Sequence, residues 1–417
     1  MDIRLPNSVS FVLNRLEQKG FEAYIVGGCV RDSLLGKEPY DWDVCTDAKP
    51  DEIKDCFSDF TTVDTGIRFG TVTAVFPDMD IQITAYRTDS EYSDYRRPDR
   101  VSFTDSLKED LSRRDFTINA MAYHPTKGLA DFFGGLADLE KKTIRCVGDP
   151  SKRFTEDALR ILRALRFSSV LSYFIEENTK KAAHQYKSLL LKISAERIVN
   201  EFNKLLLGDF VAEVLTEFSD IFDLLVPECK ISERNDIPKS MISAPKDLVV
   251  RLALLFSDTK ENPSESALFA KRTLQDLKYD KDTLQKTCFL VENASLRLEN
   301  GLESVLKHFK RLSPSMYMKI LDVKEARLKG LNAGCEQLKL IEDCRNTAYR
   351  ILSGDYCWSV SSLKVNGNDL KEIGIEEGIR IGKTLDRLVD EVIEGRVKNK
   401  KEDLIRYVLD RVCQELP

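Results

Sequence analysis

Residues 25–43 read IVGGCVRDSLLGKEPYDWD. The apolar run Tyr24 to Val26 predicts a strand, and Gly27-Gly28 turns the chain at its end. Arg31-Asp32 then open a short helix that Gly36 can close, and Asp41-Trp42-Asp43 follow about ten residues after the glycines. Glycines such as Gly28 let backbone approach phosphates closely, and free N–H groups at a new helix attract anions. On a strand, residues two apart share a face, so Asp41 and Asp43 can address one spot. Two carboxylates beside a phosphate cradle have the pattern of a Mg²⁺ site for nucleotidyl transfer. Taken singly, the Gly-Gly is also compatible with a plain turn and the Asp-x-Asp with a solvated loop. The order strand, Gly-Gly, Arg-Asp, Asp-x-Asp is far more specific than either.

Around this stretch the chain has 417 residues, room for several domains. Hydrophobic residues make up 42% and charged residues 32%, and no apolar run is long enough to span a bilayer. The N-terminal MDIRLPNSVSFVLNRLEQKG reads as an amphipathic surface helix rather than a signal peptide. The ten cysteines include no C-x-x-C pair, which predicts reduced, mostly buried thiols and a cytoplasmic chain. His124, His184 and His308 lie far apart, which argues against a zinc site or a His-Asp phosphohydrolase. The net charge of −6 argues against nucleic-acid binding by bulk charge and leaves a local basic cleft open.

To about residue 146 short strand-like runs mix with helices. Thr71–Phe76 and Asp80–Tyr86 predict a hairpin, residues 87–106 a long polar loop, and Thr143–Val147 one more strand. From about residue 151 helical periodicity dominates, including Ser194–Leu207, with a helix–helix connection over 258–267. The expected fold is α+β: a mixed head (1–146), then a helical neck (147–215), body (216–345) and tail (346–417).

Two further stretches carry chemistry. In EDLSRRDFTINAMAY, residues 109–123, Arg114 is suited to pair with phosphate oxygens; the alternative is a salt bridge to Asp110 or Asp115. In FTEDALRILRALRFSS, residues 154–169, helical spacing would align Asp157, Arg160, Arg163 and Arg166 on one stripe of an otherwise apolar helix. Buried guanidiniums need anionic partners, so the stripe faces either a nucleotide or carboxylates of a neighbouring domain.

Together the three stretches resemble the class II tRNA nucleotidyltransferase and bacterial poly(A) polymerase family of the polymerase-beta superfamily. The resemblance is specific over 21–208 and in the tail, residues 363–409, and vague between about 210 and 350. It implies that Asp41 and Asp43 hold Mg²⁺, that Gly28, Arg31 and Arg114 hold triphosphate and sugar, and that Asp157 and Arg160 read the base with support from Arg163 and Arg166. Glu196-Arg197 and Glu201 match the family's E-R-x-x-x-E element, whose implied role is to hold the stripe helix. One departure is Gln82, in IQITAYR, where relatives often carry Glu.

Base choice follows from donors and acceptors. Asp157 accepts and Arg160 donates; cytosine and adenine each offer an amino donor beside a ring-nitrogen acceptor, whereas uracil and guanine reverse that order. Such polar sites discriminate by roughly 10⁴–10⁵-fold. The expected activity is therefore addition or repair of the 3′-terminal CCA of tRNA from CTP and ATP. The tRNA acceptor arm would be gripped by the helical remainder, with Gly382-Lys383 and the cluster Arg396, Lys398, Lys400, Lys401 as candidates. No membrane or protein partner is implied. The rivals are a poly(A) polymerase, a CC-only or A-only enzyme, and an inactive RNA-binding protein on the same fold. The glycines lie about twenty residues from the first residue and the last residues are not Lys/Arg-rich, which favours tRNA over poly(A). The intact Asp-x-Asp argues against an inactive protein.

Overall fold

A computed structural model describes residues 2–89 and 101–412 and divides the chain into two compact units, Met1–Ser232 and Glu233–Pro417. The expected head and neck fall within the first; the expected body straddles the boundary.

The first unit opens with α1 (Asn7–Gln18), whose Val9, Val12, Leu13 and Leu16 form the buried stripe that helical spacing dictates. Strand β1 (Ala23–Val26) is buried at every position, as a central strand covered on both faces must be. Then follow α2 (Gly28–Leu34), β2 (Trp42–Thr46), α3 (Pro50–Cys56), β3 (Thr61–Val63), β4 (Thr71–Val75) and β5 (Asp80–Ala85). Strands β4 and β5 pair as the expected hairpin, with buried and exposed positions alternating. The expected loop 87–106 is different at its ends: β6 (Arg87–Asp89) and β7 (Val101–Phe103) pair as an antiparallel ribbon. Residues 90–100 of that loop lie outside the described residues.

The chain continues through α4 (Leu107–Ser112), β8 (Met121–His124), β9 (Gly128–Asp131), α5 (Gly135–Glu140) and β10 (Thr143–Ile144). Seven strands form one sheet in the order β3-β4-β5-β2-β1-β8-β9. Within this sheet, among the described residues, only the β2–β5 pairing is parallel, with Asp43 opposite Gln82. One face packs on α1 and α3. The other holds a cluster of Tyr24, Val26, Cys45, Tyr86, Leu111 and Val147. Because Cys45 lies on this second face, the period of two places Asp43 there as well.

Helices α6 (Pro150–Glu156), α7 (Leu159–Leu171), α8 (Glu177–Tyr186), α9 (Ala195–Leu206), α10 (Val211–Glu217) and α11 (Ser219–Leu225) complete the unit, with β11 (Phe174–Ile175) parallel to β10. Helices α7 and α9 pack closely together. The expected continuous helix through Asp157 is corrected here. Asp157 is extended (φ −140°, ψ 102°) and ends α6, and α7 starts at Leu159. Asp157 therefore lies at a joint, off the stripe of Arg160, Arg163 and Arg166.

The second unit is helical among its described residues: α12 (Asp236–Ser243), α13 (Leu248–Phe256), α14 (Pro263–Asp276), α15 (Lys281–Glu292), α16 (Leu302–Leu312), α17 (Pro314–Gly330), α18 (Cys335–Ser353), α19 (Gly367–Glu372), α20 (Ile379–Ile393) and α21 (Lys401–Tyr407). No helix among the described residues is long and apolar enough to cross a membrane.

Candidate active site

The turn after β1 is built for a close approach. Gly27 has φ +82°, and a Cβ on it would stand 2.9 Å from Arg114 Nη1. A side chain here would be strained twice, by the backbone and by the guanidinium. The Gly27 N–H donates to Met121 O at 3.1 Å, which ties the turn to β8. Gly28, partly exposed, begins α2.

Asp43 lies on β2 and the exposed Asp41 just before it. Among the described residues neither carboxylate has a hydrogen-bond or ion-pair partner. Burial, and then the charge of Asp41, push the Asp43 carboxyl up to about 6, while Arg114 acts in the opposite sense. Two adjacent, unpaired carboxylates, one of them desolvated, are short of positive charge. They fit a divalent cation, which needs few protein oxygens when substrate phosphates and water complete its shell. Gln82 stands directly across from Asp43 on the same face and supplies an amide where a third carboxylate would fit. A cleft of about 1190 Å³ opens at Asp41 and Gln82, bordered by Arg4, Lys37 and the fully exposed ring of Tyr40.

Arg114 reaches only the buried Asp110, at 3.5 Å, and its Nε has no hydrogen-bond partner among the described residues. Asp110 is held more tightly by Arg113, through Nε at 3.0 Å and Nη2 at 2.8 Å. The expected alternative, a bond from Arg114 to Asp110, is thus present but long, and the guanidinium retains donors for an anion.

The other cations are wired into one network. Arg31 donates to Asp32 at 2.8 and 2.9 Å and to Asn119 Oδ1 at 2.7 Å. Asn119 donates to Asp115 Oδ1 at 3.1 Å, and Asp115 accepts from Arg163 Nε and Nη2 at 2.8 and 2.6 Å. Glu201 of α9 lies 3.7 Å from Arg163 Nη1 and 2.6 Å from Arg166 Nε. The latter contact is an ion pair without hydrogen-bond alignment, since both atoms lack a bonded partner. Burial raises the Asp115 carboxyl, but Arg163 and Asn119 outweigh it and hold the group down at about 2. Phe167 carries Arg31, Arg163 and Arg166 over its ring at 5.0, 5.4 and 3.7 Å.

The Arg160 N–H donates to Asp157 O at 3.0 Å, and the two side chains go to other partners. Asp157 accepts from Leu159 N at 3.1 Å and from Arg197 Nη2 at 2.8 Å. Arg160 donates to Glu156 at 2.7 Å and to Arg113 O at 3.0 Å, bridging to the segment that carries Arg114. Sequence reasoning missed Asn119, Glu156 and Phe167. Asn119 had a signal, a polar residue between buried Ile118 and Ala120; Phe167, an aromatic in an apolar helix, had none.

Three family models match the chain. The poly(A) polymerase head domain matches residues 23–145, the RNA and SrmB-binding region of polymerase A residues 172–230, and tRNA nucleotidyltransferase domain 2 residues 254–408. Over 413 residues the chain is 36% identical to the CCA-adding enzyme of Lactobacillus helveticus, covering 96% of each. The chain belongs to the CCA-adding enzyme family. Its relative in Ligilactobacillus salivarius is 37% identical over 403 residues, covering 94% of each. Among solved structures, a CCA-adding enzyme of Bacillus stearothermophilus in complex with CTP superposes with a TM-score of 0.73 at 28% identity, covering 97% of each chain. The Thermotoga maritima member, complexed with tRNA, shares the fold at a TM-score of 0.67 and 20% identity.

Proposed function

We propose that this chain builds or repairs the 3′-terminal CCA of tRNA from CTP and ATP, without a nucleic-acid template. The observation that carries the reading is the unpaired Asp41–Asp43 dyad beside the incompletely paired Arg114. Asp41 and Asp43 would hold Mg²⁺, which when bound supplies the positive charge that activates the attacking hydroxyl and stabilises departing pyrophosphate.

The chain's own residues supply placement. Gly28 lets the backbone approach the triphosphate; Gly27 leaves room for Arg114, which offers free donors to phosphate or sugar oxygens. Arg31 fixes Asn119 and through it Asp115, and the remaining N–H groups of its five donors would face the triphosphate. Arg163 and Arg166, paired to carboxylates, set the rear wall of the nucleotide pocket. Asp157 would accept from the amino group of C or A and Arg160 would donate to the ring nitrogen; Arg197 and Glu156 hold the two side chains at their posts. The cleft at Asp41 is where the RNA 3′ end would enter. Described cysteines are all free, which suits a cytoplasmic location.

The test offers the protein tRNA ending before CCA, tRNA ending after CC, and an unrelated RNA, each with single NTPs. The reading expects C on the first, A on the second and nothing on the third. Runs of A on any RNA would make it a poly(A) polymerase.

A further inference from the structure

The second unit holds a cavity of about 540 Å³ between α17, α18 and residues 291–298, far in sequence from the site above. Leu296, Leu298, Leu328, Leu331, Leu340 and Ile341 supply its large aliphatic side chains. A largely apolar hollow of this size with a few polar groups is the usual form of a small-molecule site. Its charges decide what kind. Arg327 is ion-paired with Asp258, and Arg297 Nε lies 3.5 Å from Glu299. Lys324 is left over. Its ammonium donates to Ala294 O at 2.9 Å, and among the described residues no carboxylate partners it. Lys324 also sits one helical turn before Leu328, so α17 presents the cation beside the aliphatic wall.

We propose that this cavity binds a small amphipathic monoanion, with an aliphatic body against the leucines and a single carboxylate on Lys324. One uncompensated positive charge calls for one negative charge, and a neutral ligand would leave the ammonium as it stands, half-buried beside a second cation. Burial and Arg327 together push the Lys324 ammonium below the usual lysine range, which is the state an anion would relieve.

Octanoate and 1-octanol, probes that differ in the head alone, are titrated into the full-length protein by calorimetry and by NMR of labelled leucine methyls. The proposal expects octanoate to bind with one site, at least tenfold tighter than octanol, and to shift the methyls of Leu328 and Leu331. Lys324→Met removes the charge and keeps the length; it should bring the two affinities within about threefold by weakening octanoate alone. Octanol retained by that variant reports that fold and cavity survive. Equal affinities in the unaltered protein, no binding of either probe, or octanoate binding that leaves those methyls unmoved each overturn the proposal. So does a Lys324→Met protein that keeps its preference for octanoate.

Discussion

At the scale of single residues, the site rests on which charges are paired and which are not. Among the described residues the Asp41 and Asp43 carboxylates have no partner, whereas every arginine of α7 has a carboxylate. Gln82 faces Asp43 across β2 and β5. Gln82→Glu should therefore lower the Mg²⁺ concentration for half-maximal nucleotide addition, by roughly tenfold if the new carboxylate contributes one charge-assisted ligand. A metal titration that does not move rules out Gln82 as a neighbour of the metal. Asp157→Ala should slow CTP and ATP use and admit UTP and GTP, cutting discrimination by roughly 10–10³-fold as one polar contact of several is lost. Competition between CTP and UTP checks it; an unchanged ratio moves base reading elsewhere.

At the scale of elements, β2 is a true strand, so the period of two sets Asp43 on the face of Cys45, with Asp41 just before the strand. The period of 3.6 misled at Asp157. FTEDALRILRAL reads as continuous helix, yet the Asp157 carboxylate bonds Leu159 N, a local competitor of the helix bond that acidic residues favour at helix starts. The network from α2 through Asn119 and Asp115 to α7 was not legible at all, because no spacing rule joins residues so distant in sequence. It makes a pH prediction. The Asp115 carboxyl is depressed to about 2 from 3.8, so its pairing stabilises the fold fully above pH 4 and is lost as pH falls toward 2. Asp115→Asn should cost about 3 kcal/mol at neutral pH, the lower end for a broken buried pair, because Arg163 keeps Glu201. Denaturant melts should show that difference flat above pH 5 and shrinking below pH 4; a difference that grows with acid contradicts the assignment.

At the scale of the molecule, a mixed head sheet followed by helices was readable from composition alone, because β-branched clusters stop near residue 150. The basic cluster of the tail was readable only in part. Arg396 is ion-paired with Glu391 and Glu394 and Lys401 with Asp369, which leaves the exposed Lys398 and Lys400 as the cations of that group without an ion-pair partner among the described residues. Replacing both with alanine should weaken tRNA binding without regard to sequence and reduce the salt slope of log K by roughly 1–2. Filter binding over a salt series checks it, and an unchanged slope places the phosphates elsewhere.

Asp43→Asn shows whether the carboxylate dyad carries nucleotide addition. Mass spectrometry follows tRNA lacking CCA, incubated with CTP, ATP and Mg²⁺ and either the unaltered protein or the variant. With the unaltered protein the RNA should grow by C, C and A and then stop. With the variant, addition should be at least roughly 10²–10³-fold slower, the loss expected when one preorganised charge is removed, with thermal stability and tRNA affinity kept. A variant that completes CCA at near the unaltered rate, or an unaltered protein that adds nothing, contradicts that role of the dyad.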